Sequence, residues 1–267
     1  MKLLVQGDDY GFTRGVTLGI LDAIDYGVLT CTGLFANMPS TEFAVEEMKK
    51  RPEVCFGIDF NLVSGRPVCA PEEVPHLVDE SGDFIRSTER VRDARWKNEE
   101  GRAEMFPFEE VYKEMRAQYD RFVRLMGKKP EYVHGHSIHP ENYDAAMKQI
   151  SEEEDVPNSN ELQRKYGFGY AKFIPGVPKE KEKNFNAEAQ LMKNPAKFFF
   201  EHEDYYLGKE YAALGGHPGY VDAELVEMTT LSLERMRDLQ FYTSEELKSW
   251  IQKNGVELIS YRDLIGA

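Results

Sequence analysis

The chain opens with strand-like runs that end in polar or turn-forming residues and alternate with stretches of helical spacing. That alternation constrains the fold more than any other feature. Residues 2–5 read as a buried first strand that stops at Gly7-Asp8-Asp9. Val16, Ile20, Ala23 and Ile24 recur at helical spacing in residues 16–26, which end at Gly27, a helix stop. Residues 31–38 read as a second strand. Residues 41–50 read as a second helix, with Thr41 as its cap, acidic residues after it and lysines last. Residues 54–63 make a third strand, ending near Asp59-Phe60-Asn61-Leu62. Strand, helix, strand, helix, strand at short intervals predicts parallel pairing with helices on the outer faces.

The alternation then pauses. Residues 64–106 are rich in Gly, Pro and charge and show no clear period, as expected of an insertion that covers a substrate. Residues 108–126 predict a long helix with Val111, Met115, Phe122, Leu125 and Met126 near one face. A strand over 132–138 and a helix from Tyr143 follow. A second irregular stretch, 157–186, surrounds a strand-like segment at 169–174. Residues 187–207 read as partly helical, limited by Pro195, and 210–216 as a strand ending at His217-Pro218-Gly219. Helices over 225–239 and 244–253 and a strand over 256–260 complete the chain. No repeat or domain boundary interrupts it, so the expectation is one domain over 1–267.

At 267 residues the chain suits a single α/β barrel, and with 41 % hydrophobic residues it can build a sizeable core. Lys plus Arg total 33 and Asp plus Glu 47, a net charge of −14. Such acidity argues against nucleic acid or an anionic membrane surface as a partner. No apolar run reaches 18 residues, so no membrane span is expected. The opening MKLLVQGDDYGF does not read as a signal peptide. Cys31, Cys55 and Cys69 are an odd, sparse set without CxxC spacing, which points to a reducing cytoplasm.

In parallel α/β folds chemistry gathers at the carboxyl ends of strands. Asp8 and Asp9 end the first strand, Asp59 the third, His134 and His136 lie in the fourth, and His217 ends a late one. If the sheet closes, all meet in one mouth. Adjacent aspartates suit divided labour: one carboxylate binds a metal while the other takes a proton from water. A solvated turn is the bland alternative. Asp59 stands between apolar neighbours, and a buried carboxylate needs a partner, whereas in an alternating strand it would face solvent. His134, His136 and His139 place three of the six histidines within six residues, which favours a metal or acid–base site. His217, between Gly216 and Pro218, is either a general acid or a turn histidine. No HExxH, GxSxG or GxxxxGK[ST] occurs, which disfavours a helical zinc protease, an α/β-hydrolase elbow and a P-loop. Lysines near 179–183 alternate with Glu, as on a solvated face.

Taken in order, the motifs resemble the YdjC-like carbohydrate deacetylases. The residues that carry the resemblance are Asp8-Asp9-Tyr10-Gly11, Gly57-Ile58-Asp59-Phe60-Asn61-Leu62 and His134-Gly135-His136. His217-Pro218-Gly219-Tyr220-Val221-Asp222, Arg235 with Asp238-Leu239, and the ending Leu258-Ile259-Ser260-Tyr261-Arg262-Asp263-Leu264 extend it over nearly the whole chain. The resemblance implies an incomplete or distorted (β/α) barrel with two long irregular insertions. It also implies hydrolytic removal of an N-acetyl group from an amino sugar or short oligosaccharide with one divalent metal. Carried over residue by residue, Asp8 matches the catalytic base, and Asp9 and His136 match metal ligands. His217 matches the histidine assigned to acid catalysis, and Arg235 the arginine that orients a carboxylate.

Two positions depart from the family pattern. Asp59 falls where the family has a histidine ligand, which changes an Asp-His-His set to Asp-Asp-His. The added charge favours Mg²⁺, or Mn²⁺, over Zn²⁺. His134 stands where the family often has Asp, and His139 is a candidate additional ligand. Phe84, Trp96, Phe106 and Phe108 are candidates for stacking on sugar faces, with ordinary loop packing the preferred reading. The rival readings are a non-catalytic sugar-binding relative and another metal-dependent barrel enzyme, a phosphoesterase or aldolase. A small acetylated sugar is the expected partner, and a homodimer is left open.

Overall fold

The computed structural model describes residues 1–169 and 186–265. Its centre is one parallel sheet of six strands, β1 (Lys2–Tyr10), β2 (Cys31–Leu34), β3 (Cys55–Phe60), β4 (Val133–Gly135), β5 (Tyr211–Gly216) and β6 (Glu257–Ile259). The order is β4-β3-β2-β1-β5. β6 pairs with residues 2–4 of β1, ahead of the part of β1 that pairs with β2. Single bridges extend the flanks, Val133 to Asn158 on one side and Ala212 to Gly169 on the other. The sheet is a curled half-barrel, and the fold is a distorted, incomplete (β/α) barrel.

Alternation along the strands divides the core in two. Leu3 and Val5 of β1, with Phe56 and Ile58 of β3, face the helices and join the large cluster there. Leu4, Cys31, Cys55 and Ala213 face the hollow of the sheet and pack with Tyr132 and Tyr261 in a second, smaller cluster. α1 (Arg14–Asp25) and α2 (Thr41–Met48) follow β1 and β2. Thr13 caps α1 by accepting from the Val16 N–H. Thr41 is not the cap of α2: it lies inside the helix, and its hydroxyl donates back to Phe35 O and Met38 O, both at 2.7 Å.

The first insertion is less irregular than its sequence suggests. It contains two 3₁₀ turns, Pro71–Glu73 and Ala94–Lys97, and two helices, α3 (Ser87–Arg90) and α4 (Glu99–Met105). α5 (Phe108–Met126) clamps it down. Glu114, fully buried on α5, accepts the N–H groups of Val68 and Cys69 at 2.9 Å each. One turn on, the Gln118 amide exchanges hydrogen bonds with the backbone of Asn61 just past β3. Phe84 and Phe106 are buried in the large cluster, Trp96 packs on Phe106, and Phe108 stacks on Tyr112. The four aromatics therefore follow the packing reading.

α6 (Glu141–Glu154) follows β4. In the second irregular stretch, α7 (Ser159–Lys165) forms where no helix is expected. The strand-like segment at 169–174 lies outside the described residues except for Gly169. α8 (Ala187–Leu191), α9 (Pro195–Glu201) and α10 (Glu203–Leu207) follow, with Pro195 at the first turn of α9. The single helix expected over 225–239 is two, α11 (Ala223–Met228) and α12 (Arg235–Tyr242). The break is held from α8. Gln190 Oε1 accepts the N–H groups of Ser232 and Leu233, and its amide nitrogen donates to Thr230 O, so the segment's backbone is satisfied without helical bonds. α13 (Glu245–Lys253), capped by Ser244, precedes β6. No helix among the described residues is long and apolar enough to cross a membrane.

Candidate active site

β1 does not stop before its aspartates. It runs through them to Tyr10, and its pairing with β2 slips as it passes. Gly7 pairs with Thr32 and Tyr10 with Leu34, so three steps on β1 match two on β2, a bulge at Asp8-Asp9. Asp9 takes the left-handed conformation there, φ 72°, which Asp tolerates better than most residues. A regular strand would send the two side chains to opposite faces. The bulge re-aims Asp9, and both carboxylates enter one polar cluster.

Asp9 is almost fully buried. Its Oδ2 accepts from the Arg235 guanidinium at 2.6 Å, its Oδ1 lies 2.9 Å from His136 Nδ1, and its backbone N–H donates to Asp59 Oδ2 at 3.3 Å. Burial by itself would raise the Asp9 carboxyl, but the His136 ring and the Arg235 guanidinium outweigh it and hold the group well below the usual carboxylate range. Asp59 shows the opposite balance: burial first, then the negative Asp8 and Asp9, push it well above that range. Its carboxylate packs against Gly33, where an added Cβ would stand 1.9 Å from Asp59 Oδ1. Only a residue without a side chain fits there.

Asp8 is about one-fifth exposed. Burial raises its carboxyl against the opposing pull of His217. Gln6 donates to Asp8 Oδ1 at 2.5 Å, and His134 Nε2 lies 3.9 Å from the same oxygen. The other ring nitrogen of His134 meets the Ser159 hydroxyl at 2.7 Å. His136 is fixed by its backbone N–H, which donates to Tyr143 Oη at 2.8 Å, and by the edge-on packing of its ring against Phe35. His139 turns away from the cluster to pair with Asp144 at 2.9 Å and lean on Tyr143.

His217 follows β5 directly, and its backbone N–H donates to buried Asp238 at 3.0 Å. Lys193 balances Asp238 from 2.8 Å. Burial lowers the His217 imidazole against the pull of Asp9 and Asp8. Arg235, 2 % exposed, is anchored by its Nε to Leu231 O. Asp9, His136, His217 and Arg235 line a cavity of about 450 Å³ with Arg86 at its wall. A neighbouring cavity, also about 450 Å³, shares Ser64, Arg86 and Met228 with it.

The structure thus groups Asp8, Asp9, Asp59, His134, His136, His217 and Arg235, and leaves His139 outside. Sequence reasoning missed Gln6, Tyr143, Lys193 and the backbone role of Asp238. Gln6 alone carried a signal, since it lies two residues before Asp8 on the same face of a strand.

The donor types suit a divalent cation. Asp59 Oδ1 is a buried oxygen without a hydrogen-bond partner, and Asp9 Oδ1 meets only the His136 ring nitrogen, at 2.9 Å; in a low-dielectric interior such atoms call for a positive partner. Among the described residues, no group of three or more His, Cys, Asp or Glu side chains stands as placed where it could hold a metal ion. The fit is therefore one of donor chemistry.

The comparisons agree with this architecture. The family model described as YdjC-like protein matches residues 2–253. Carbohydrate deacetylase 2 of Listeria innocua serovar 6a is 32 % identical over 267 residues, covering 99 % of both chains. Carbohydrate deacetylase of Geobacillus stearothermophilus is 29 % identical, covering 97 % of this chain and 96 % of its own. A crystal structure of an Enterococcus faecalis V583 protein, provisionally assigned to cellobiose-phosphate cleavage, superposes with a TM-score of 0.73 at 22 % identity, covering 98 % of each chain, which bears on the fold. The chain belongs to the YdjC-like protein family.

Proposed function

We propose that this chain is a carbohydrate deacetylase, a hydrolase that removes the acetyl group from an N-acetylated amino sugar or short oligosaccharide. The observation that carries the reading is the bulge. It gives two adjacent aspartates different partners: Asp9 is pinned by Arg235 and His136, while Asp8 keeps a partly exposed carboxylate.

In this reading Asp9, Asp59 and His136 hold one divalent cation, with Mg²⁺ favoured over Mn²⁺ or Zn²⁺ because two of the three donors are carboxylates. When bound, the cation makes water more acidic and offsets negative charge on the acyl oxygen. Asp8, whose carboxylate is partly exposed, takes the proton from the attacking water. His217, held at the cavity wall through its own backbone, delivers a proton to the departing amine. Arg235 keeps Asp9 ionised and in place and is a positioning residue. The buried thiols Cys31 and Cys55 suit a reducing cytoplasm as the place of work.

The test is acetate release from a panel of N-acetylated mono- and oligosaccharides, with EDTA and add-back of Mg²⁺, Mn²⁺ or Zn²⁺. Release that EDTA stops and a divalent ion restores supports the reading. Sugar binding without acetate release under any metal would favour the non-catalytic relative.

A further inference from the structure

The hollow of the half-barrel contains a polar chain that leads to Asp8. Gln163 on α7 donates its amide N–H to the Tyr261 hydroxyl. Tyr261, fully buried just after β6, donates to Gln6 Oε1 at 2.7 Å. Gln6 on β1 donates from its amide nitrogen to Asp8 Oδ1 at 2.5 Å. Every hydrogen in the chain points the same way. The Tyr261 O–H decides which end of the Gln6 amide is the acceptor, and so which end faces Asp8. A donor accepting at its own carbonyl is a better donor, so the links reinforce one another.

We propose that Gln6 and Tyr261 are positioning residues that fix the rotamer of the Asp8 carboxylate and leave its second oxygen free to meet water. The proposal rests on Asp8 being the base of the deacetylase reading. Without the Tyr261 hydroxyl, the Gln6 amide is free to flip and present its carbonyl oxygen to Asp8. Two acceptors would then face each other, and Asp8 would turn away from the reacting water. The ring of Tyr261 has a separate task, packing 4.5 Å from Tyr132, and phenylalanine keeps that contact.

Tyr261→Phe, Gln6→Leu and the double variant test this in the acetate-release assay on the wild-type enzyme's best substrate. The expected result is a fall in kcat of about tenfold for Tyr261→Phe with KM unchanged, a larger fall for Gln6→Leu, and no further loss in the double variant. A merely structural role would give additive losses or a changed KM, and either outcome overturns the proposal, as does wild-type kcat in Tyr261→Phe. A second readout needs no turnover. The Gln6 side-chain amide proton that faces Asp8 is expected far downfield in the NMR spectrum of the wild type and back in the ordinary range in both Tyr261→Phe and Asp8→Asn. An unshifted wild-type signal refutes the chain. Absence of acetate release from the wild type, with that signal present, instead defeats the deacetylase reading and the catalytic part of the proposal together.

Discussion

Arg235 and Asp9, 2 % and 1 % exposed, show what burial does to a pair of charges. Removing the guanidinium leaves a carboxylate in the interior with only the His136 and His217 rings near it, and a broken buried pair costs about 3 kcal/mol or more. Arg235→Met should lower the urea midpoint accordingly, and an unchanged midpoint would mean that Asp9 finds another cation or proton. Asp9 itself, held below its ordinary value, contributes stability that is present above pH 4 and fades as pH falls through its native value. His134 works in the same direction at higher pH. Burial first, then the neighbouring His139 and His136, lower it to about 4 against 6.5 when unfolded. The native form binds fewer protons, so stability is full above about pH 6.5 and declines until about pH 4, by about 3 kcal/mol at most. Denaturant midpoints taken across that window should fall less steeply in His134→Gln than in the wild type. Equal slopes would show that the ring accepts its proton in the folded state. Asp8, Asp9, Asp59, His134, His136 and His217 stand out in the sequence because they are polar residues at strand ends. What Asp9 and Asp59 do to each other was not legible there, since it depends on a bulge that a run of residue types does not announce.

At the scale of elements, α1 and α11 are joined through one side chain. Asp222 caps α11 by accepting the Leu225 N–H at 3.0 Å, and its other oxygen accepts the Gly15 N–H at the start of α1 at 2.6 Å. Asp222→Ala loses both bonds and should cost about 1–2 kcal/mol in equilibrium unfolding, at the upper end for a cap. A loss within 0.3 kcal/mol would mean that water replaces the carboxylate at both helices. The strands were legible because each is an apolar run closed by polar or turn residues, and α5 because its buried face recurs at helical spacing. The break between α11 and α12 was not. Its cause is Gln190, some forty residues earlier in the chain, whose amide satisfies the backbone of Ser232 and Leu233. The two helices inside the first insertion were also missed. Their support is the buried Arg90, which donates to Met105 O and His76 O and lies 4.5 Å over the Phe106 ring, contacts with no local period to reveal them.

For the molecule as a whole, the parallel order of the sheet accounts for where the chemistry gathers. Strand ends from β1, β3, β4 and β5 deliver Asp8, Asp9, Asp59, His136 and His217 to one place, and α12 brings Arg235 across to meet them. Parallel order follows from the alternation of strands and helices, and convergence follows from parallel order. The half-open form of the barrel was legible only through resemblance, because closure depends on pairings at the flanks that the strand pattern leaves undetermined. The central claim is a division of labour between neighbouring aspartates, Asp9 holding a cation and Asp8 moving a proton. The most direct test is a calorimetric titration of Asp8→Asn with Mn²⁺, run beside its acetate-release assay. The account predicts binding within about threefold of the wild type and a rate at least a hundredfold lower. Wild-type acetate release by Asp8→Asn, or loss of Mn²⁺ binding along with the activity, would contradict it.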